Sequence, residues 1–139
     1  MAEFAAAMAD VIYVLAGVLC DARGHVLLAQ RPVGKHLAGL WEFPGGKREP
    51  GETPLATLAR ELQEEIGIVV QQATPLIQVP WRYTERDLLL DAWRVTQWQG
   101  EPQSMEGQRL QWLKPAHVDP TTLTPADRPI LQALQHSLK

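Results

Sequence analysis

Three glutamates with helical spacing, Glu61, Glu64 and Glu65, are the residues of this sequence whose arrangement points most directly to chemistry. Residues three and four positions apart on a helix lie only about 5 to 6 Å from each other, so these carboxylates repel one another. A hard divalent cation offsets the repulsion, because magnesium binds carboxylate oxygens and keeps water molecules that phosphate oxygens can replace. The spacing therefore indicates a metal and phosphate site, although a hydrated acidic face produces the same pattern.

The helix that must present these glutamates has clear ends. Thr53 can cap free amides, Pro54 suits the first helical position and Gly67 is a typical stop. Aliphatic side chains between these ends share a neighbouring arc of about 80°. We expect this arc to be buried, and its members are Leu55, Leu58, Leu62 and Ile66.

Strands are predicted before and after this helix. Segments 11–19 and 26–30 are aliphatic on both faces and flank a tight turn at 21–24, which indicates a central, covered sheet. The glycine-rich segment 34–51 has no period and is predicted to be a long functional loop. The later aliphatic segments predicted as strands are 76–79, 88–98 and 109–113.

A second helix is expected at the end of the chain, starting between Thr124 and Pro129. Its aliphatic residues at helical spacing are Ile130, Leu131, Leu134 and Leu138. The order of strands, helix, strands and helix predicts an α/β or α+β fold, in which a mixed sheet is sandwiched between helices.

Length and composition favour one globular domain over residues 11–139, preceded by a flexible extension at residues 1–10. The net charge of -3 provides no broad basic field, so we expect no binding to duplex nucleic acid. Cys20 stands alone, which excludes an intramolecular disulfide and favours the cytoplasm. The apolar segment 11–20 is too short to span a bilayer, so no membrane association is expected.

A longer pattern resembles a known family. Gly46, Glu52 and the run 60–68 match every fixed position of the Nudix box. Three further segments are similar to the MutT branch of that family: 40–47, 101–108 and 125–129. The resemblance implies the Nudix fold, a requirement for Mg²⁺ with Mn²⁺ as the alternative, and hydrolysis of a nucleoside triphosphate to the monophosphate and pyrophosphate.

The same resemblance implies roles for individual residues. The implied metal ligands are the Gly45 carbonyl oxygen, Glu61, Glu64, Glu65 and the loop residue Glu106. Arg60 resembles the residue that orients the glutamates by charge-assisted hydrogen bonds, with Glu52 as its carboxylate partner. A carboxylate must take the proton of the attacking water, and Glu61 is the first candidate for this general base, with Glu106 the second.

Four residues are implied at the substrate end: Arg31, His36, Phe43 and Asp127. Each has a simpler interpretation. Arg31 suits a cation at a strand end, His36 a solvated loop residue, Phe43 a core residue, and Asp127 the cap of the final helix.

Asp127 stands where the best-known MutT pattern has asparagine. An ionised aspartate only accepts hydrogen bonds, so it suits a base edge that offers donors, such as guanine or the cytosine amine. The expected activity is 8-oxo-dGTP hydrolysis, which cleans the nucleotide pool in support of DNA replication and repair. The alternatives are a (d)CTP pyrophosphohydrolase and a non-catalytic base-recognition module. In each case we expect a monomer or weak dimer.

Overall fold

The computed structural model describes residues 11–83 and 86–137. The expected extension at residues 1–10 and the predicted helix residue Leu138 lie outside these ranges. The described strands and helices are, in chain order, β1 (Ile12–Leu19), β2 (Val26–Gln30), β3 (Trp41–Glu42), β4 (Gly45–Lys47), α1 (Pro54–Ile66), β5 (Val69–Tyr83), β6 (Arg86–Gln99), β7 (Leu110–Leu113) and α2 (Arg128–Ser137). Short 3-10 turns occur at Pro115–His117, Pro120–Thr122 and Pro125–Asp127. None of the described helices is long and apolar enough to span a bilayer.

The strands form two sheets. The first has the order β4-β1-β6-β5, in which β1 and β6 are parallel and the other pairs are antiparallel. The second has the antiparallel order β3-β2-β7. The predicted mixed sheet is thus confirmed in the first sheet. The chain passes from the first sheet to the second between β1 and β2, which follow one another in sequence.

Alternating side chains of β1 build two cores, because successive residues of a strand point to opposite faces. Leu15 and Leu19 join a cluster with Leu58 and Leu62 of α1. Ala16 and Val18 join a second cluster that contains the buried face of α2. Each helix therefore covers its own side of the strands, as the sandwich prediction requires.

Helix α1 begins and ends where the sequence predicts. The Thr53 hydroxyl accepts a hydrogen bond from the Ala56 amide, and Gly67 has the left-handed φ of 73°. The predicted buried arc is wrong at Leu55, which is 45% exposed. Leu55 lies in the first turn of the helix, whereas the later residues of the arc are fully buried: Leu58, Leu62 and Ile66.

The glycine-rich segment 34–51 is more ordered than its sequence predicts. It contains β3, which pairs with β2, and β4, which pairs with β1. Glycine has a low β propensity, but pairing with a neighbouring strand overrides a local preference. A side chain at position 45 would place its Cβ only 1.9 Å from the Leu15 carbonyl oxygen, so this pairing requires glycine. The pairing holds the loop against the sheet beside α1.

Strand β5 is much longer than the predicted segment 76–79. The prediction stopped at Pro75 and Pro80, since proline weakens a central strand. However, β5 is at the edge of its sheet, where proline is tolerated, and its pairing with β6 shifts register between Pro75 and Ile77. The predicted bounds of β6 and β7 lie within two residues of those observed, and α2 begins inside the predicted window.

Candidate active site

One cavity of about 640 Å³ receives side chains from distant parts of the chain. One part of the lining, the acidic group, combines three glutamates with two glycines whose backbone lies beside them. It comes from β4, α1 and the loop before β7, and consists of Gly45, Gly46, Glu61, Glu65 and Glu106. A second group comes from the loop after β2, from β3 and the residue after it, from the end of β5 and from the turn before α2. Its members are Arg31, His36, Glu42, Phe43, Tyr83 and Asp127. The fold thus brings most of the predicted site residues to a single surface.

Two adjacent glycines bring the β4 backbone against the helix glutamates. The Gly45 amide donates a hydrogen bond to Glu65 Oε2 at 3.0 Å. A Cβ at position 46 would lie 2.2 Å from the carboxylate carbon of Glu61. Any side chain at Gly46 would therefore displace Glu61, and this need for space is a reason for glycine that the sequence does not reveal.

The acidic group concentrates negative charge in a partly buried place. The pKa of Glu65 is raised to about 8, mainly by burial; the Gly45 amide lowers it, and the charges of Glu42, Glu106 and Glu61 add to the increase. Burial also raises the pKa of Glu61, which Arg60 partly offsets. These carboxylates favour either a proton or a cation beside them.

Arg60 anchors the glutamates from behind the cavity, which it does not line. Its Nε and Nη2 donate to the two oxygens of Glu52 at 2.7 and 3.0 Å, and its Nη1 donates to Glu61 Oε1 at 2.9 Å. The hydrogen bonds from Arg60 lower the pKa of Glu52 to about 2. The buried Thr57 also donates to Glu52 at 2.9 Å. Arg60 is therefore placed to orient Glu61, and Glu52 to hold Arg60.

Glu64 is placed differently from its two neighbours. Its side chain is 57% exposed and accepts a hydrogen bond from Arg60 at 3.4 Å. It does not contribute to the cavity lining. Its implied role as a metal ligand thus stays a prediction that the geometry of the cavity does not support.

Glu106 reaches the cavity on a loop that docks against the end of α1. The Gln103 amide donates to the Ile66 carbonyl at 2.9 Å, and the Met105 amide donates to the Glu65 carbonyl at 3.1 Å. The last carbonyls of a helix lack partners within the helix, so the loop satisfies groups that would otherwise need water. This docking carries Glu106 to the surface that Glu61 and Glu65 also line.

Arg31 is held in place by two contacts. Its Nη1 donates to both oxygens of Glu42 at 3.1 and 3.3 Å, and its Nε donates to the His36 carbonyl at 2.7 Å. Burial raises the pKa of Glu42, while Arg31 lowers it. The His36 ring makes an edge contact with the Tyr83 ring at 5.7 Å. Arg31 thus ties the loop that follows β2 to β3, beside the cavity that both line.

Glu42 and Tyr83 are site residues that the sequence analysis did not identify. Glu42 lies inside the MutT-like segment 40–47, but the family resemblance did not imply a role for this residue. Tyr83 lies at the end of a strand whose length was underestimated, and its hydroxyl accepts a hydrogen bond from the Ala126 amide at 3.1 Å.

Phe43 and Asp127 are joined by a buried hydrogen bond. The Phe43 amide donates to Asp127 Oδ2 at 2.7 Å. Phe43 is 4% exposed and belongs to a core cluster, so the core interpretation holds, and the residue also contributes to the cavity lining. Asp127 precedes α2, but this bond directs its carboxyl to the loop at Phe43. The geometry thus gives no support to a purely capping role.

The protonation of Asp127 differs from the sequence-based expectation. Its pKa is raised to about 8, mainly by burial and also by the charge of Glu42, against the lowering effect of the Phe43 amide and Thr124. At neutral pH the carboxyl is mostly protonated, so it can donate as well as accept a hydrogen bond. The expectation that Asp127 only accepts assumed an ionised carboxylate, whereas burial favours the protonated form.

The donor atoms of the acidic group suit a hard divalent cation, because they are carboxylate and carbonyl oxygens. Gly46 leaves room for the Glu61 carboxylate, and burial raises the pKa values of Glu61 and Glu65, so a cation beside them would favour their ionised forms. Within residues 11–83 and 86–137, no three His, Cys, Asp or Glu side chains already converge on one point as a complete metal site.

The fold and this oxygen-rich cavity define a class of hydrolase. Residues 15–133 match the NUDIX domain family, and the chain belongs to that family. Nudix enzymes are hydrolases acting on phosphorus-containing anhydrides and generally need a divalent metal ion.

Within the family, the chain is similar to MutT-type proteins. It is 47% identical over 96 residues to the 8-oxo-dGTP diphosphatase of Proteus vulgaris, covering 69% of this chain and 86% of that one. It is 40% identical to the CTP pyrophosphohydrolase of Escherichia coli over 88% of this chain and 90% of the relative. A solved MutT structure from work on Aliivibrio salmonicida and Vibrio cholerae superimposes with a TM-score of 0.77 at 32% identity, covering 91% and 98% of the two chains.

Proposed function

We propose that this protein is a magnesium-dependent nucleoside triphosphate pyrophosphohydrolase that prefers 8-oxo-dGTP. One observation carries the proposal: the acidic group and the group around Asp127 line the same cavity. Its volume of about 640 Å³ is in the range of small-molecule sites. A polyphosphate tail can therefore lie at the carboxylates while the base lies near Asp127.

The proposed holders of the metal are Glu61, Glu65, Glu106 and the Gly45 carbonyl oxygen, with Mn²⁺ as a possible substitute for Mg²⁺. When bound, a divalent cation neutralises phosphate oxygens and makes a water molecule more acidic. The protein itself supplies the charge that attracts the cation, and Arg60 supplies the hydrogen bonds that keep Glu61 in one orientation.

The proton of the attacking water must move to a carboxylate. Glu61 is the first candidate, since its pKa is raised above that of a free glutamate by burial and it remains fixed by Arg60. A base whose pKa is nearer to the working pH transfers protons more effectively. Glu106 on the facing loop is the second candidate.

Recognition of the base is assigned to Asp127 and the segment around Phe43. A protonated Asp127 offers a donor and an acceptor side by side, which resembles the pair that an asparagine amide offers. Such a pair suits the edge of an oxidised guanine. Cytosine is the second candidate, because the relative that is 40% identical is a CTP pyrophosphohydrolase.

A substrate panel tests the proposal. Pyrophosphate release from 8-oxo-dGTP, dGTP, CTP and dCTP is measured with Mg²⁺ and after chelation by EDTA. We expect Mg²⁺-dependent release, with the highest kcat/KM for 8-oxo-dGTP. The highest kcat/KM for CTP would favour the second candidate, whereas no release from any triphosphate would favour a non-catalytic base-recognition module.

Two expectations about the cellular context are part of this proposal. The lone Cys20 favours the cytoplasm, where thiols stay reduced. A monomer or weak dimer is expected in solution, and light scattering across a concentration series measures this directly.

A further inference from the structure

Gln108 is a buried amide on the loop that carries Glu106. It is only 8% exposed, and both ends of its side chain are engaged. Its Nε2 donates to the Glu65 main-chain carbonyl at 3.0 Å. Its Oε1 accepts from the Glu106 amide at 3.1 Å and from the Ser104 hydroxyl at 2.8 Å. One side chain thus connects the end of α1 with the loop at Glu106.

The chemistry of these contacts requires an amide. Glutamine provides a donor and an acceptor on neighbouring atoms, whereas glutamate has no donor for the Glu65 carbonyl and methionine has neither group. Gly107, with its left-handed φ of 81°, turns the chain between Glu106 and Gln108. The turn lets the Gln108 side chain fold back and bond to the residue before the glycine.

The loop has other contacts with α1, and one of them, the Met105 amide, shares the Glu65 carbonyl with Gln108. The amides of Gln103 and Met105 bind the helix carbonyls and dock the loop as a whole. Gln108 bonds to Glu106 itself, and it lines the same cavity as Glu61, Glu65 and Glu106. Its position therefore relates the loop carboxylate to the helix carboxylates.

We propose that Gln108 is a positioning residue for hydrolysis, which holds Glu106 on the cavity by tying its backbone to the end of α1. The inference rests on the proposed function, in which Glu106 is a metal ligand or the second candidate for the general base. Gln108 does not act on the substrate; it acts through Glu106.

The test compares Gln108→Met with Gln103→Ala, which removes an exposed amide side chain from the same loop. We expect Gln108→Met to lower kcat by about 10- to 100-fold, the usual effect of losing a group that orients a metal-site residue. KM should stay within about twofold, since substrate binding is not changed. The Glu106 amide should exchange its hydrogen faster in Gln108→Met, as seen by NMR. Gln103→Ala should keep the wild-type kcat.

A double-mutant cycle with Glu106→Gln separates positioning from a general effect on the fold. If Gln108 acts through Glu106, adding Gln108→Met to Glu106→Gln should lower kcat by less than about twofold. A full additional loss in the double variant would overturn the proposal, as would wild-type kcat in Gln108→Met or in Glu106→Gln. The wild-type protein is assayed first, so a lack of any turnover would contradict the proposed function itself.

Discussion

A carboxylate that accepts a proton near neutral pH must hold its proton more firmly than a free glutamate does. Burial gives Glu61 this property, and Arg60 keeps the charged form available by donating to Oε1 at 2.9 Å. Gly46 completes the arrangement, because any side chain there would meet the Glu61 carboxylate. At the scale of the residue, burial and two neighbours, Arg60 and Gly46, thus determine the properties of one candidate base.

Glu61→Gln removes the charge and the base while it keeps the size of the side chain. We expect kcat for pyrophosphate release to fall by about 100- to 10,000-fold, as for the loss of a general base. The matched control is Glu101→Gln on the exposed surface. Circular dichroism and the Tm check that the fold remains. Near-wild-type kcat in Glu61→Gln would reject the assignment.

The buried Asp127 should make stability depend on pH. Its pKa is raised from 3.8 in the unfolded chain to about 8 in the fold, so folding favours the protonated carboxyl. The associated stability is fully present below the unfolded pKa, declines as the pH rises, and is lost above about 8. Asp127→Asn removes this titration. Between pH 5.5 and 8.5, the unfolding free energy of the variant should therefore fall less than that of the wild type, and the difference between the two falls should be about 1 kcal/mol or more.

Urea denaturation of both proteins at several pH values measures this difference. Glu65 contributes in the same direction, because its pKa is also raised to about 8, so some decline should persist in the variant. Identical slopes for the two proteins would contradict the burial argument. If Asp127 also reads the base, Asp127→Asn should change the ratio of kcat/KM for 8-oxo-dGTP and CTP more than it changes kcat.

The short strand β4 shows how an element positions a site. Its two glycines are needed for different reasons, since a Cβ at Gly45 would meet the Leu15 backbone and a Cβ at Gly46 would meet the Glu61 side chain. A backbone cannot move aside easily, but the end of a flexible side chain can. The two positions should therefore respond differently to the same substitution.

We expect Gly45→Ala to lower the unfolding free energy by about 1 to 3 kcal/mol, as other overpacked sites do. Gly46→Ala should change stability less and should lower kcat by about 10- to 100-fold, because Glu61 is displaced. Thermal unfolding and pyrophosphate release, measured on both variants, test the pair. The reverse result, a stable but inactive Gly45→Ala and an unstable but active Gly46→Ala, would contradict the geometry.

At the scale of the whole molecule, local patterns could be predicted from the sequence, whereas long-range contacts could not. Helix α1 was predictable to the residue, because its cap, its first proline and its final glycine are local signals. The strands β3 and β4 and the full length of β5 were not predictable, because these segments become strands only by pairing with other strands. Phe43 and Asp127 are 84 residues apart in sequence, so neither their hydrogen bond nor the raised pKa of Asp127 could be predicted from the sequence.

The same reasoning applies to the site. The helix glutamates could be identified from spacing and from the family pattern, but their unequal exposure could not. Periodicity places Glu64 beside Glu61 and Glu65, whereas in the structure it bonds to Arg60 and does not contribute to the cavity lining. Gln108 carries no motif of its own, and only the folded loop brings its amide to the end of α1.

Charge in the cavity couples the site to the stability of the whole chain. The raised pKa values of Glu61 and Glu65 mean that repulsion and burial cost stability when both are ionised. A cation that binds the folded protein recovers that stability, by about 2.7 kcal/mol at a concentration 100 times its Kd. For a chain of this size we expect saturating Mg²⁺ to raise the Tm by roughly 5 to 10 °C.

The double variant Glu61→Gln and Glu65→Gln tests the origin of this effect by differential scanning calorimetry with Mg²⁺ and with EDTA. It should be more stable than the wild type in EDTA, because the repulsion is gone, and it should gain little from Mg²⁺. Protons compete with the cation for the same oxygens, so the wild-type gain should be larger at pH 8.5 than at pH 5.5. A Tm increase of the same size in the double variant would mean that Mg²⁺ stabilises the protein elsewhere, and the acidic group would then lose its role as the metal site.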